Sequence, residues 1–222
     1  MQVGASDLVN AFLLVYAGLF PIVNPVGSAP IFLAMTSHYD EAVRNGLALR
    51  VALNGFALLL GSLFVGSHVL EFFGITLPIV RVAGGLVVTA MGWRMLHDSD
   101  PAGTAADETA GRSHHPIDAF YPLTMPLTVG PGSISVAITL GSQRPKGIVD
   151  YPDLLLLGGT AVAGLLAIAL TIYVCYRFAQ RTIDMLGERF TNVLLRLSAF
   201  ILLCIGIEIM WGGASALLAS VR

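Results

Sequence analysis

The sequence predicts an all-α integral membrane protein with six transmembrane helices, arranged as two inverted three-helix repeats in which helices 1 and 4 are discontinuous. Three observations carry that expectation. Charge is scarce, apolar segments of spanning length recur, and one proline pattern occurs twice.

Of 222 residues, 55% are hydrophobic and 12% are charged. Soluble domains carry roughly 25% charged residues, and half that content cannot coat a water-exposed surface. The mean hydropathy of +0.79 agrees. The net charge of -2 comes without any Lys/Arg run, so there is no nucleic-acid footprint. Cys175 and Cys204 lie in the last two apolar stretches and read as free thiols. No CxxC pair or Cys/His metal spacing is present. The first residues lack the basic start of a cleaved signal peptide, so the first apolar segment is expected to remain as a span.

The expected spans cover residues 8–35, 47–69, 77–96, 118–140, 154–178 and 193–218. Each is long enough for a bilayer core at roughly 20 residues per crossing. No water satisfies backbone groups inside the bilayer, so helices are the expected spanning structure. The stretch 72–78, broken by Gly74 and Pro78, reads as an interfacial approach to the third span. His68 and Glu71 also read as interfacial. Lys/Arg asymmetry sets orientation. Arg44, Arg50, Arg94, Arg112, Arg177, Arg181, Arg189 and Arg196 flank the odd loops, against Arg81, Arg144, Lys146 and Arg222 on the opposite side. Eight against four places the odd loops in the cytoplasm and both termini outside.

The repeat is read from proline spacing. Phe20 precedes Pro21, Pro25 and Pro30, and Tyr121 precedes Pro122, Pro126 and Pro131, at a constant offset of 101 residues. An odd number of spans per half inverts the second half, as in many secondary transporters. The expected units are residues 1–96, a cytoplasmic linker over 97–117, and residues 118–222. Each proline removes an N–H and crowds the carbonyl four residues earlier. The freed carbonyls are those of Ala17, Pro21 and Val26, then Asp118, Pro122 and Leu127. Three such losses within ten residues predict an unwound centre in each span, tolerated only if buried in protein or lining a polar cavity. Half-helix N-termini there would offer N–H groups and a positive dipole end to an anion. The candidate substrate-binding residues are Asn24, Pro25, Gly27, Ser28, Thr128, Gly130, Gly132 and Ser133, with Ser135 a further hydroxyl.

The same residues carry a family resemblance. Asn24-Pro25-Val26-Gly27-Ser28-Ala29-Pro30-Ile31-Phe32 is similar to N-P-x-G-x-x-P-x-F of the MarC family of bacterial inner-membrane proteins. Pro126-Leu127-Thr128-Val129-Gly130-Pro131-Gly132-Ser133-Ile134 resembles that family's P-L-x-x-G-P-G-[AS]-I, and Arg81-Val82-Ala83-Gly84-Gly85 its approach to the third span. The resemblance implies transport of small neutral amino acids of the glycine and alanine type. Arg94 and Glu208 stand where the family is usually neutral and polar.

Glu208 lies deep in the sixth span and is expected to face a partner or a cavity, because charge at that depth is costly. Proton coupling and capture of a substrate ammonium are its candidate roles, against a structural ion pair or a neutral Glu. Asn54 reads as interhelical glue. His97, Asp98, Asp100, Asp107, Glu108, His114 and His115 of the third loop read as a solvated linker rather than a metal site. No nucleophile–base pair, zincin helix or phosphate loop occurs, so an enzyme is not expected and no cofactor is implied. The expected partners are a small-molecule substrate and the lipid bilayer, without nucleic acid. A homo-oligomer is left open, as are an ion channel and a non-transporting membrane factor.

Overall fold

The computed structural model describes residues 4–97, 118–142 and 151–220, and its regular elements are helical. They are α1 (Ala5–Val23), α2 (Pro25–Met35), α3 (Glu41–Phe72), α4 (Leu77–His97), a π-helical turn (Leu123–Thr128), α5 (Pro131–Ser142), α6 (Tyr151–Arg177) and α7 (Ala179–Ser220). The expected linker and its acidic and histidine residues from 98 to 117 lie outside the described residues. So do Arg112, Arg144, Lys146 and Arg222 of the orientation count.

Among the described residues five helices are long and apolar enough to cross a bilayer: Ala5–Val23, Glu41–Phe72, Leu77–His97, Leu155–Arg177 and Thr191–Ala219. Their outer faces are apolar as well, with Leu155, Leu170 and Trp211 all more than 60% exposed. Such a surface suits lipid and not water. The fourth expected span departs from a plain helix. Its α-helical part, α5, has 12 residues, roughly 18 Å at 1.5 Å each, against a hydrocarbon core of about 30 Å. Between α3 and α4 the chain turns at Gly74, with φ 67°, and Pro78 takes the second position of α4, where its missing N–H costs nothing.

Specific contacts fix the helix directions. Gly55 meets Val129 just ahead of α5 and Gly66 meets Ile138 within it, so α3 and α5 run parallel. Val15 lies against Gly164, and Tyr16 hydrogen-bonds Thr171 at 3.2 Å, so α1 and α6 run parallel too. Gly55 meets Ile172 while Gly158 meets Phe64, which makes α3 and α6 antiparallel.

The most extensive pair is α4 with α7. A Cβ on Gly85 would sit 2.5 Å from the Met210 amide nitrogen, and one on Gly92 2.6 Å from that of Leu203. Gly206 and Gly213 answer from α7, against Thr89 and Pro78. Small residues let the backbones touch, which is how helices associate where lipid removes the hydrophobic drive. The helices are antiparallel, and main-chain atoms of the partner lie within 3 Å of the missing Cβ at all four glycines.

Each end of α7 differs. Gly187, at φ 74° and ψ 158°, breaks the helix before its membrane-crossing part. The short stretch before it follows α6 after a single residue, Phe178, whose ring carries the guanidinium groups of Arg177 and Arg181 at about 6 Å. This placement suits an interfacial corner.

Candidate functional site

The first proline window is built around Asn24. Pro25 disfavours a right-handed helical conformation in the residue before it, and Asn24 adopts the left-handed one, φ 47° and ψ 55°. Asparagine tolerates that region better than most residues. Its N–H donates to Phe20 O at 2.9 Å and closes α1. Its Oδ1 accepts from the Gly27 N–H at 3.1 Å and caps α2. Pro25 then holds the first helical position, where proline fits.

The break is therefore one residue wide. Pro21 lies inside α1 and Pro30 inside α2, which corrects the expectation of an unwound centre. The reason is that the Asn24 N–H closes α1 while its side chain caps α2. The Gly27 amide, expected to be open to an anion, is occupied. A Cβ on Gly27 would also collide with the Asn24 carboxamide, 2.8 Å from its Cγ.

The second window is unwound over a longer stretch. Tyr121–Pro122 and Met125–Pro126 are cis, Met125 is extended, and the π-helical turn ends in an extended Val129. Its backbone bonds span five residues: Met125 N–H to Phe120 O, Leu127 N–H to Pro122 O, and Val129 N–H to Thr124 O. Two threonines brace it. Thr124 donates to Ala119 O and Thr128 to Leu123 O, both at 2.7 Å. Asn54 of α3 reaches Thr124 Oγ1 at 3.5 Å, the interhelical contact expected of it.

The windows meet. Ser28, 3% exposed, donates to Leu127 O at a long 3.5 Å. Beside them Tyr176 of α6 is buried, its hydroxyl 2.7 Å from Thr128 Oγ1 and its ring stacked on Phe32 at 4.4 Å. Sequence reasoning missed both aromatics. A tyrosine near a span end reads as an interface anchor, and only the fold shows that it turns inward.

A cavity of about 100 Å³ lies where the second window faces α4. Ile22, Val88, Met91 and Leu202 give it apolar walls, while Thr128, Gly130, Gly132 and Ser133 form its polar edge. Asn24, Pro25, Gly27 and Ser28 do not line it; the first window contributes Ile22. The edge coincides with the first turn of α5, where helix amides have no intrahelical partner. Ser133 Oγ turns back to Gly130 O at 2.9 Å. Gly132 lets Val88 of α4 come close, since a Cβ there would run into it. At Gly130 a Cβ would find only ordinary contact, 3.5 Å from Pro126 O.

Glu208 is far from this cavity in character. It is exposed on the outer side of α7, eleven positions before the end of the Thr191–Ala219 span, or roughly 16 Å along the axis. Of its two expected settings, a partner or a cavity, Glu208 does not face a cavity within the chain, because the face of α7 turned inward is the glycine face that α4 occupies. An acid facing lipid at mid-bilayer costs about 3 kcal/mol. Both cysteines are free, and among the described residues no group of three metal-ligating side chains forms.

Long lipid-compatible helices, small-residue seams and proline-broken segments beside a small cavity define an α-helical integral membrane protein. Residues 9–218 match the family described as MarC family integral membrane protein, and the chain belongs to that family. It is 31% identical to the inner membrane protein MarC of Salmonella typhimurium over 213 residues, covering 93% of this chain and 95% of the relative. The inner membrane protein MarC of Citrobacter koseri is equally similar, at 31% over the same shares. A membrane protein of Buchnera aphidicola is 28% identical over 99% of both chains. No solved structure matches.

Proposed function

We propose that the chain is a secondary transporter of small neutral amino acids, glycine or alanine in size, resident in the bacterial inner membrane. The observation that carries this reading is the small cavity at the broken second window. An apolar cavity of about 150 Å³ is known to hold benzene, so one of about 100 Å³ suits a ligand of fewer heavy atoms. The free amides at the start of α5 suit a carboxylate. Carbonyl oxygens of the unwound backbone suit an ammonium group. The apolar wall suits a hydrogen or methyl side chain and disfavours a charged one.

The reading includes six crossings as two inverted halves, with both termini outside. The helix directions support it. Exchanging the halves turns the parallel pair α1–α6 into α5–α3, which is also parallel, and maps the antiparallel pairs α4–α7 and α3–α6 onto themselves. In that arrangement α1 and α2 together form the first crossing, and the second window with α5 forms the fourth. The names of the Salmonella relatives agree with the membrane assigned.

Uptake of labelled alanine and glycine into proteoliposomes, with and without an imposed pH gradient, tests the proposal. Saturable uptake that leucine does not inhibit is the expected result. Absence of any uptake, influx or counterflow, for either amino acid would reject transport of this class and favour a non-transporting membrane factor.

A further inference from the structure

We propose that the outer face of α7 is a contact between two copies of this chain, in which the Glu208 carboxyl of one copy hydrogen-bonds that of the other. Two observations meet on this face. Leu197, Ile201, Cys204, Glu208, Trp211 and Ser215 are all exposed and follow one another at intervals of four and three residues. That alternation is the spacing by which two parallel helices pack side by side, and a polar group in such a seam whose hydrogen bonds are not met within its own helix fixes register and copy number. Ser215 donates to Gly212 O, and Glu208 is that group.

Within the chain its carboxyl has no hydrogen-bond or ion-pair partner among the described residues. The packing of α4 on α7 shows why. Gly213 meets Arg81, Gly85 meets Gly206 and Met210, and Gly92 meets Leu203. Arg81 and Arg94 thus flank the level of Glu208 from opposite ends of α4, and the hydroxyl level with it, Thr89, donates to Gly85 O at 2.7 Å. Lipid tails offer nothing either.

A second copy does offer a partner. A two-fold axis along the membrane normal makes the contact self-complementary and brings identical positions to identical depth. A protonated carboxyl donates one hydrogen bond and another carboxyl accepts it. Two Glu208 side chains therefore complete each other without a second residue type. The inference does not rest on transport, and its test reads association alone.

Cys204 lies one turn from Glu208 in the same seam and reports the contact. In bacterial membranes carrying the Cys175→Ser protein, copper–phenanthroline oxidation should link Cys204 to Cys204 and double the 23.4 kDa mass of the chain. Glu208→Gln, whose amide both donates and accepts, should link to the same extent. Glu208→Leu, a better residue for lipid, should lower the linked fraction at least tenfold when the membranes are diluted by fusion with lipid vesicles. A single cysteine at Leu170, on the exposed face of α6, should not link. Four results would overturn the proposal: no link in the parent protein, an undiminished link in Glu208→Leu, loss in Glu208→Gln as in Glu208→Leu, or equal linking from position 170. Linking only to a protein of different mass would also reject it, in favour of another membrane partner.

Discussion

The two proline windows share their spacing and differ in what they do with it. In the first, one asparagine turns the chain and caps the next helix, so the break spends its polar groups on itself. In the second, a π-helical turn keeps its own bonds through five-residue steps and threonine braces, and the free first turn of α5 opens beside a cavity. Proline spacing thus says where a membrane helix will break. The residues between the prolines decide whether the break is closed or left available.

The sharpest way to break this comparison is to fill one glycine in each window. Gly132→Val should push into the cavity against Val88 and lower alanine uptake at least tenfold, while overpacking costs about 1–3 kcal/mol of stability. Gly27→Val should displace the Asn24 carboxamide, so its loss should appear in folding yield and thermal unfolding in detergent, with uptake per folded molecule largely kept. Reversed outcomes, or identical ones, would remove the distinction between a closed and an open break.

A smaller effect probes the brace that holds the second window to α6. Thr128→Val removes one of the two hydroxyl partners of the buried Tyr176, the other being Ser28, and should cost about 1–3 kcal/mol. Adding Tyr176→Phe should recover part of that loss, because both polar groups are then gone. A double-mutant cycle by thermal unfolding in detergent measures the coupling, and additive losses would mean that the 2.7 Å contact contributes nothing.

The smallest expected effect separates the two tasks of Asn24. Asn24→Ala loses the cap, worth about 1 kcal/mol, and also strains the left-handed backbone. Asn24→Gly loses the cap but keeps the conformation, and by the same scale should cost only a few tenths of a kcal/mol. Equal destabilisation by the two would show that the cap, rather than the φ of 47°, is what matters.

Much of this architecture was legible from the residues. Apolar length located the helices because the bilayer leaves few alternatives, and the paired prolines located both breaks. What the sequence could not say was how each break resolves. Capping by Asn24 depends on a rotamer and on Gly27 standing three residues on, both local. The inward turn of Tyr176 and the approach of Val88 to Gly132 depend on how helices distant in sequence are rotated. Glu208 shows the same limit from outside. Its depth follows from counting residues, but its direction is set by the glycines that turn the opposite face of α7 toward α4.

That glycine seam has a mechanical consequence. Main-chain atoms of the partner lie against Gly85, Gly92, Gly206 and Gly213, so sliding α4 along α7 by one turn would bring Thr89 or Met210, which share the glycine faces, against the partner's main chain. Packed cores move between discrete arrangements and do not deform continuously. The two helices accordingly behave as one rigid spar. Whatever excursion the molecule makes must be carried by the parts hung on that spar: the jointed α1 and α2, and the short α5 with its unwound lead.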